Sequence, residues 1–378
     1  MRLKNPIYIN ESGVVSPLSH AGFNSDSSAI LLSDNDLVAP ISDLHDVRIK
    51  KLQAESKWYG QLDRSVLLAI LAAREISVPL GKTGINIGSS RGATGVWEES
   101  YARFRESGLT TTQSSPLTTL GNISTWIAQD LGVDATAFSH SITCATASHA
   151  VLNAIAWLES EMVDQFIVGG AEAPLTPFTI AQMKALRIYA TDYEMYSCKA
   201  LNLNKTSNTM VLGEAAACYL LSKKATENTR AKIIGHGAAI EVLSSATSVS
   251  MDGRCLQESM KRALGDRSLE EVDAIITHSP GTIKGDMAEF AAIRHVFGDN
   301  YPTLCNNKWQ VGHSLGASSA LSIAMALEMF EKSTLFAIPY LESTFTNPRG
   351  KKVNPQKILI NATGFGGNAV SLLLEKHI

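Results

Sequence analysis

The sequence predicts an α/β fold in which strands and helices alternate along a 378-residue chain. Short β-rich runs alternate with segments of helical period along the whole length. Hydrophobic residues make up 45% and charged residues 18%, enough apolar material for a large core. The polar run Ser222 to Arg230 (SKKATENTR) interrupts the alternation and divides residues 1–224 from 225–378 as two expected halves.

In chain order, Pro6 to Asn10 reads as a first strand, and Gly13 to Pro17 as a turn into a binding loop. Asp63 to Ile76 has the spacing of an amphipathic helix, and Lys82 to Ser90 reads as a strand ending in Gly and Ser. Gly95 to Ser107 is a charged helix whose Trp97, Tyr101 and Phe104 form a stripe expected to face the core. Pro116 to Leu131 carries apolar residues at Leu117, Leu120, Ile123, Ile127 and Leu131. Gln165 to Gly169 reads as a buried strand, and the pair Gly169–Gly170 as a close backbone approach. The second half repeats the plan with strands at Lys232 to Ile234 and Ala274 to Thr277. Its helices are expected at Leu256 to Leu264, Met287 to Phe297 and Ala317 to Phe330, before a closing strand pair.

Composition narrows the function. A formal net charge of −3 offers no basic field for nucleic acid, and no run approaches the roughly 18 apolar residues a membrane span needs. The five cysteines are scattered, with no CxxC pair and no histidine at zinc-ligand spacing, so no metal site is expected. That usage and the lack of a signal-peptide core point to a reducing, cytoplasmic setting.

The most informative local event lies in SITCATASHAVLNAIAWLES, Ser141 to Ser160. Ala137 to Thr143 reads as a short strand, whereas Ala147, Ala150, Val151, Ala154, Ile155 and Leu158 recur at helical spacing. Cys144 therefore stands at a strand-to-helix turn, where unpaired N–H groups and the helix dipole would favour a reactive thiolate. A cysteine before a helix is by itself more often a small buried hydrophobe. Two later stretches add to it. His278 follows a β-rich run and precedes a Gly-Asp turn, and Lys308 and His313 stand just ahead of a long helix rich in small residues.

In the order Cys144, His278, Lys308, His313, the chain resembles the elongating β-ketoacyl-ACP synthases of the thiolase superfamily. Cys144 lies in CATxxHA, His278 eight residues before Asp286, Lys308 five before His313, and GFGG closes the pattern at Gly364 to Gly367. The opening Ile7 to Leu18, Ser115 to Gly132, VGGAEAPLTP at Val168 to Pro177, and Val211 to Leu221 fall in the same order. The resemblance implies the five-layer αβαβα thiolase fold built from two similar halves. It also implies decarboxylative condensation of an acyl group on Cys144 with malonyl-ACP, in fatty acid or polyketide synthesis. Substrates would ride on the phosphopantetheine of an acyl carrier protein, with no cofactor of the chain's own. A homodimer, or a heterodimer with a second ketosynthase-like subunit, would be the assembly, with Pro116 to Leu131 helping to form its interface.

Roles follow from the same resemblance. His278 and His313 would stabilise the enolate, and Lys308 would organise the pair. The N–H groups of Cys144 and Phe365 would form the oxyanion hole, with Phe365 as gate. Thr282, Gly364 and Gly366 would contact substrate, and His149 would be structural. Pro280 stands where a threonine is usual, Ser322 where an acid is usual nine positions after His313, and Thr363 where an aromatic often precedes the glycine. These departures keep a second reading open, that of a chain-length-factor partner with little condensing activity of its own.

Overall fold

The computed structural model describes residues 2–18, 22–120, 122–242, 250–350 and 354–377. Strands are β1 Arg2–Val15, β2 Leu31–Ser33, β3 Asp36–Ala39, β4 Thr83–Gly88, β5 Ala135–Phe138, β6 Gln165–Glu172, β7 Leu212–Gly213, β8 Ala215–Ser222, β9 Ala231–Ile240, β10 Ala274–Ile276, β11 Thr303–Cys305, β12 Lys357–Gly364 and β13 Asn368–Lys376. Helices are α1 Asp43–Glu55, α2 Arg64–Ala73, α3 Thr94–Ser107, α4 Ser114–Leu117, α5 Asn122–Leu131, α6 Thr146–Glu159, α7 Pro177–Ala185, α8 Arg254–Leu264, α9 Ile283–Phe297, α10 Lys308–Val311, α11 Ser318–Lys332 and α12 Ser343–Thr346.

Ten strands form one sheet in the order β11-β10-β12-β13-β9-β1-β8-β6-β4-β5. Read outward from the central β1–β9 pair, the two sides match. Each begins with an antiparallel strand (β8 or β13), continues with a second antiparallel one (β6 or β12), and ends in two parallel strands. A shift of register between Ile9 and Glu11 lets the 14-residue β1 serve both sides, β9 through Ile7–Ile9 and β8 through Tyr8–Val15. The small sheet β2-β3-β7 was not foreseen.

The layering follows from side-chain alternation. In β6, Phe166 and Val168 enter one core and Ile167 and Ala171 another; in β12, Ile358 and Ile360 divide in the same way from Leu359. Residues of α6 and α11 share the central core with the inner faces of both sheet sides. α2 and α5 cover one outer face, α8 and α9 the other. The result is the αβαβα order of the thiolase fold.

Two sequence expectations are corrected. The helix at 63–76 shortens to α2, capped by Asp63 accepting from Ser65 N at 2.8 Å, and it is buried on every side from Ser65 to Ala73. It is a core helix rather than an amphipathic one, because its flanks pack on α5 and on β1, β6 and β8. The α3 stripe does the opposite: Trp97, Tyr101 and Phe104 are 51%, 47% and 50% exposed, with Trp97 stacked on Tyr101. The buried strand expected at Gln165 to Gly169 runs on to Glu172 and is buried at every residue.

Candidate active site

The strand expected to run to Thr143 stops at Phe138, and Thr143 takes a left-handed backbone at φ 48°. That kink turns Cys144 toward the interior two residues before α6 starts at Thr146. Thr146 Oγ1 accepts from Ile142 N at 2.9 Å, which closes the turn. Cys144 is buried beside Met183, Tyr189, Met210, Leu212 and Leu315, an apolar wall.

Burial pushes the Cys144 thiol up to about 12, and the Glu172 carboxylate adds to the rise, while Lys308 pulls it down. The expected resting thiolate is therefore corrected to a resting thiol, because desolvation outweighs the helix entrance. Its proton has to leave as the sulfur attacks.

The GFGG hairpin reaches this turn from the other half. Gly364 ends β12, and a Cβ there would stand 1.9 Å from Thr143 Oγ1 and 3.0 Å from Cys144 N. Phe365 sits at the hairpin tip, 41% exposed, with its carbonyl accepting from Thr143 Oγ1 at 3.3 Å and from Asn368 Nδ2 at 2.9 Å. Gly366 follows at φ 89°, with open space where a Cβ would be. The aromatic absent at Thr363 is replaced by a hydroxyl that donates to the Asn368 carbonyl at 2.8 Å, pinning the hairpin.

His278 leaves β10 and His313 follows α10; both are buried, and their rings meet edge to face with centroids 5.2 Å apart. Burial holds both well below the usual histidine range, and Lys308 adds to that, so both imidazoles are neutral at pH 7. His313 Nδ1 is buried with no hydrogen-bond partner among the described residues. Lys308 is fully buried and acts electrostatically on both histidines and on Cys144. Burial lowers its ammonium to about 8, while Glu289 first, then Cys198, Cys144 and Asp286, hold it up. Glu289 thus supplies a carboxylate near Lys308, whereas Ser322 donates to Ser318 O inside α11.

Three residues with no chemistry assigned from sequence hold the site together. Glu289 accepts from His278 N at 2.9 Å, from Ser279 N at 2.6 Å and from Ser279 Oγ at 2.8 Å, which fixes the histidine loop to α9. Asp286 pairs with the buried Lys205 at 2.6 Å and accepts from Gly281 N and Leu201 N. Thr282 caps α9 by accepting from Gly285 N, so its oxygen lone pair serves the helix.

Glu172 is the third. It accepts from Ser89 Oγ, Ser90 N and Arg91 N of the loop after β4, and from Gly316 N in the turn after His313. Burial pushes this carboxyl up to about 7, against the pull of those four donors. Next to it, a Cβ on Gly169 would stand 1.8 Å from Ala217 O and one on Gly170 2.8 Å from Gly316 O, so the Gly169–Gly170 approach expected from sequence is made against β8 and against the turn after His313. His149 lies near His140, with its ring held down to about 4 by burial and by that neighbour. Among the described residues, no cluster of His, Cys, Asp and Glu is suited to a metal ion.

Comparison with known proteins gives the family. Residues 69–227 match the N-terminal domain of the β-ketoacyl synthases, and residues 230–341 their C-terminal domain. Nodulation protein E of Rhizobium leguminosarum bv. trifolii is 27% identical over 314 residues, covering 77% of this chain and 74% of that one. The chloroplastic 3-oxoacyl-[acyl-carrier-protein] synthase II of Arabidopsis thaliana is 25% identical over 313 residues, 78% of this chain and 58% of that one. Among solved structures, the ishigamide ketosynthase/chain length factor superposes with TM-score 0.85 at 20% identity over 100% of both chains. A ketosynthase in complex with its chain length factor from Xenorhabdus doucetiae superposes with TM-score 0.79 at 18% identity, over 99% of this chain and 98% of that one.

Proposed function

The chain belongs to the β-ketoacyl synthase family, and on that premise we propose that Cys144 carries the acyl group in a decarboxylative condensation with a malonyl thioester. The observation that carries this reading is the contact of Gly364 with the Thr143–Cys144 turn, which brings the GFGG hairpin onto the nucleophile. In the first step the Cys144 sulfur attacks an acyl thioester; its C–S bond to the carrier breaks, and the carrier's thiol takes the proton. The backbone N–H groups of Cys144 and Phe365 hold the oxyanion, and Phe365 gates the hairpin.

In the second step His278 and His313, neutral donors, bind the malonyl thioester oxygen while the C–C bond to its carboxylate breaks and CO2 leaves. The enolate then attacks the acyl carbonyl on Cys144, the C–S bond breaks, and the thiolate released takes a proton from solvent. Lys308 acts through its charge on the histidines and the thiol. Gly364 and Gly366 leave room for substrate at the hairpin, and Thr282 borders its path.

The acyl groups arrive on the phosphopantetheine of an acyl carrier protein, and the chain brings no cofactor of its own. β5 is one of the two edges of the ten-stranded sheet, opposite β11, and pairs only with β4 among the described residues. This supports a dimer with a second copy or with a second ketosynthase-like subunit across β5. No helix of the described residues is long and apolar enough to cross a membrane, and we place the protein in the cytoplasm. Residues 1–224 and 225–378 are proposed as the two halves, with the nucleophile in the first and the histidines in the second.

Incubation with an acyl-loaded carrier protein should add one acyl mass, mapped by peptide analysis to Cys144. An acyl group found on another residue, or on none, would overturn the assignment.

A further inference from the structure

Arg91 stands on the loop after β4, with its backbone N–H on Glu172 at 3.0 Å. Its Nη2 donates to Gln182 Oε1 on α7, one residue from Met183, which packs in the apolar cluster around Cys144. The Glu172 carboxylate that accepts from Arg91 N is also near enough to Cys144 to raise its thiol, so the Arg91 loop stands beside the nucleophile, and its guanidinium rests on the helix that carries Met183. Its Nε is buried with no acceptor among the described residues, and no described carboxylate forms an ion pair with the side chain. A half-buried cation that meets only a neutral amide leaves a charged donor unsatisfied, a state a fully saturated neighbour does nothing to relieve.

We infer that the Arg91–Gln182 pair reads an acceptor oxygen on the acyl chain borne by Cys144, so that keto- or carboxy-substituted acyl groups are taken over saturated ones of equal length. Gln182 accepts at one edge of the planar fork and leaves Nε unpaired. A carboxylate and a keto oxygen both fit this donor; the carboxylate also supplies the missing counter-charge.

This inference rests on Cys144 being the acyl-bearing nucleophile. The test measures initial rates of Cys144 acylation from carrier protein loaded with saturated, oxo and terminal-carboxy acyl groups, each across a series of matched lengths. The wild type is expected to favour an oxygenated chain at least about tenfold at one length, the scale of one hydrogen bond to a charged group. Arg91→Leu should bring that ratio to near one, and Arg91→Lys should keep a preference for carboxylate while losing that for the keto group. Gln182→Leu, which frees the fork without removing the charge, should lower the ratio and serves where the leucine variant does not fold. A ratio near one at every length in the wild type, or one unmoved by Arg91→Leu and Gln182→Leu, overturns the inference alone. No acyl group on Cys144 from any donor removes the nucleophile reading and this inference with it.

Discussion

Gly364 and Thr143 touch so closely that a Cβ at 364 would lie 1.9 Å from the threonine hydroxyl oxygen. The contact joins the closing hairpin of the second half to the nucleophile turn of the first, so the position of Cys144 depends on a residue 220 positions away in sequence. Gly364→Ala is expected to displace the turn at a cost of about 1–3 kcal/mol, the usual range for overpacking. Melting temperature should fall modestly while condensation falls at least about tenfold. Wild-type rates in this variant would mean that the hairpin does not position the thiol.

The neutral histidines give a second expectation. With both imidazoles held well below the ordinary range by burial, malonyl decarboxylation should show no limb at pH 6.5 from their protonation. His278→Ala and His313→Ala should each lower decarboxylation by about two orders of magnitude, the scale for losing a charge-stabilising donor. Acyl transfer to Cys144 should persist in both. Equal loss of both half-reactions would assign these residues to folding.

Glu172 predicts how stability varies with pH. Its folded pKa is raised by burial from 4.5 to about 7, so the folded state binds the proton more tightly than the unfolded chain. The stabilisation from that proton is complete below pH 4.5 and is lost as pH rises through about 7. Denaturation midpoints measured from pH 4.5 to 8 should fall with this slope, and Glu172→Gln should flatten it. An unchanged slope in the variant would place the titration elsewhere.

For α3, exposure sets the expectation. Phe104→Ser should change stability by less than about 0.5 kcal/mol, the surface scale, where a buried phenylalanine would cost several times more. Chemical denaturation measures the difference, and a loss of 3 kcal/mol or more would return the stripe to the core.

Much of the fold was legible because alternation and helical period report local burial directly. The strands at Gln165 and Ala274 and the helix before Phe330 needed no partner information. What failed was tertiary. The spacing of Trp97, Tyr101 and Phe104 records one face of a helix, not what that face meets. The buried surroundings of α2 come from elements on both sides of the chain. In the site, Cys144, His278, Lys308 and His313 were visible as motifs, and the structure brings them together. Glu172, Glu289 and Arg91 were not, because each acts through backbone N–H groups or side chains that only the fold brings near. The thiol's rise to about 12 follows from burial that a strand-to-helix pattern does not encode.

The most direct test of the central claim is product formation by the purified protein given acyl- and malonyl-loaded carrier protein, alone and with its subunit partner from the native host. A β-ketoacyl product that Cys144→Ala in this chain eliminates is the result expected. A product that survives Cys144→Ala undiminished, with a second synthase present, would contradict the catalytic reading and leave the chain a structural partner.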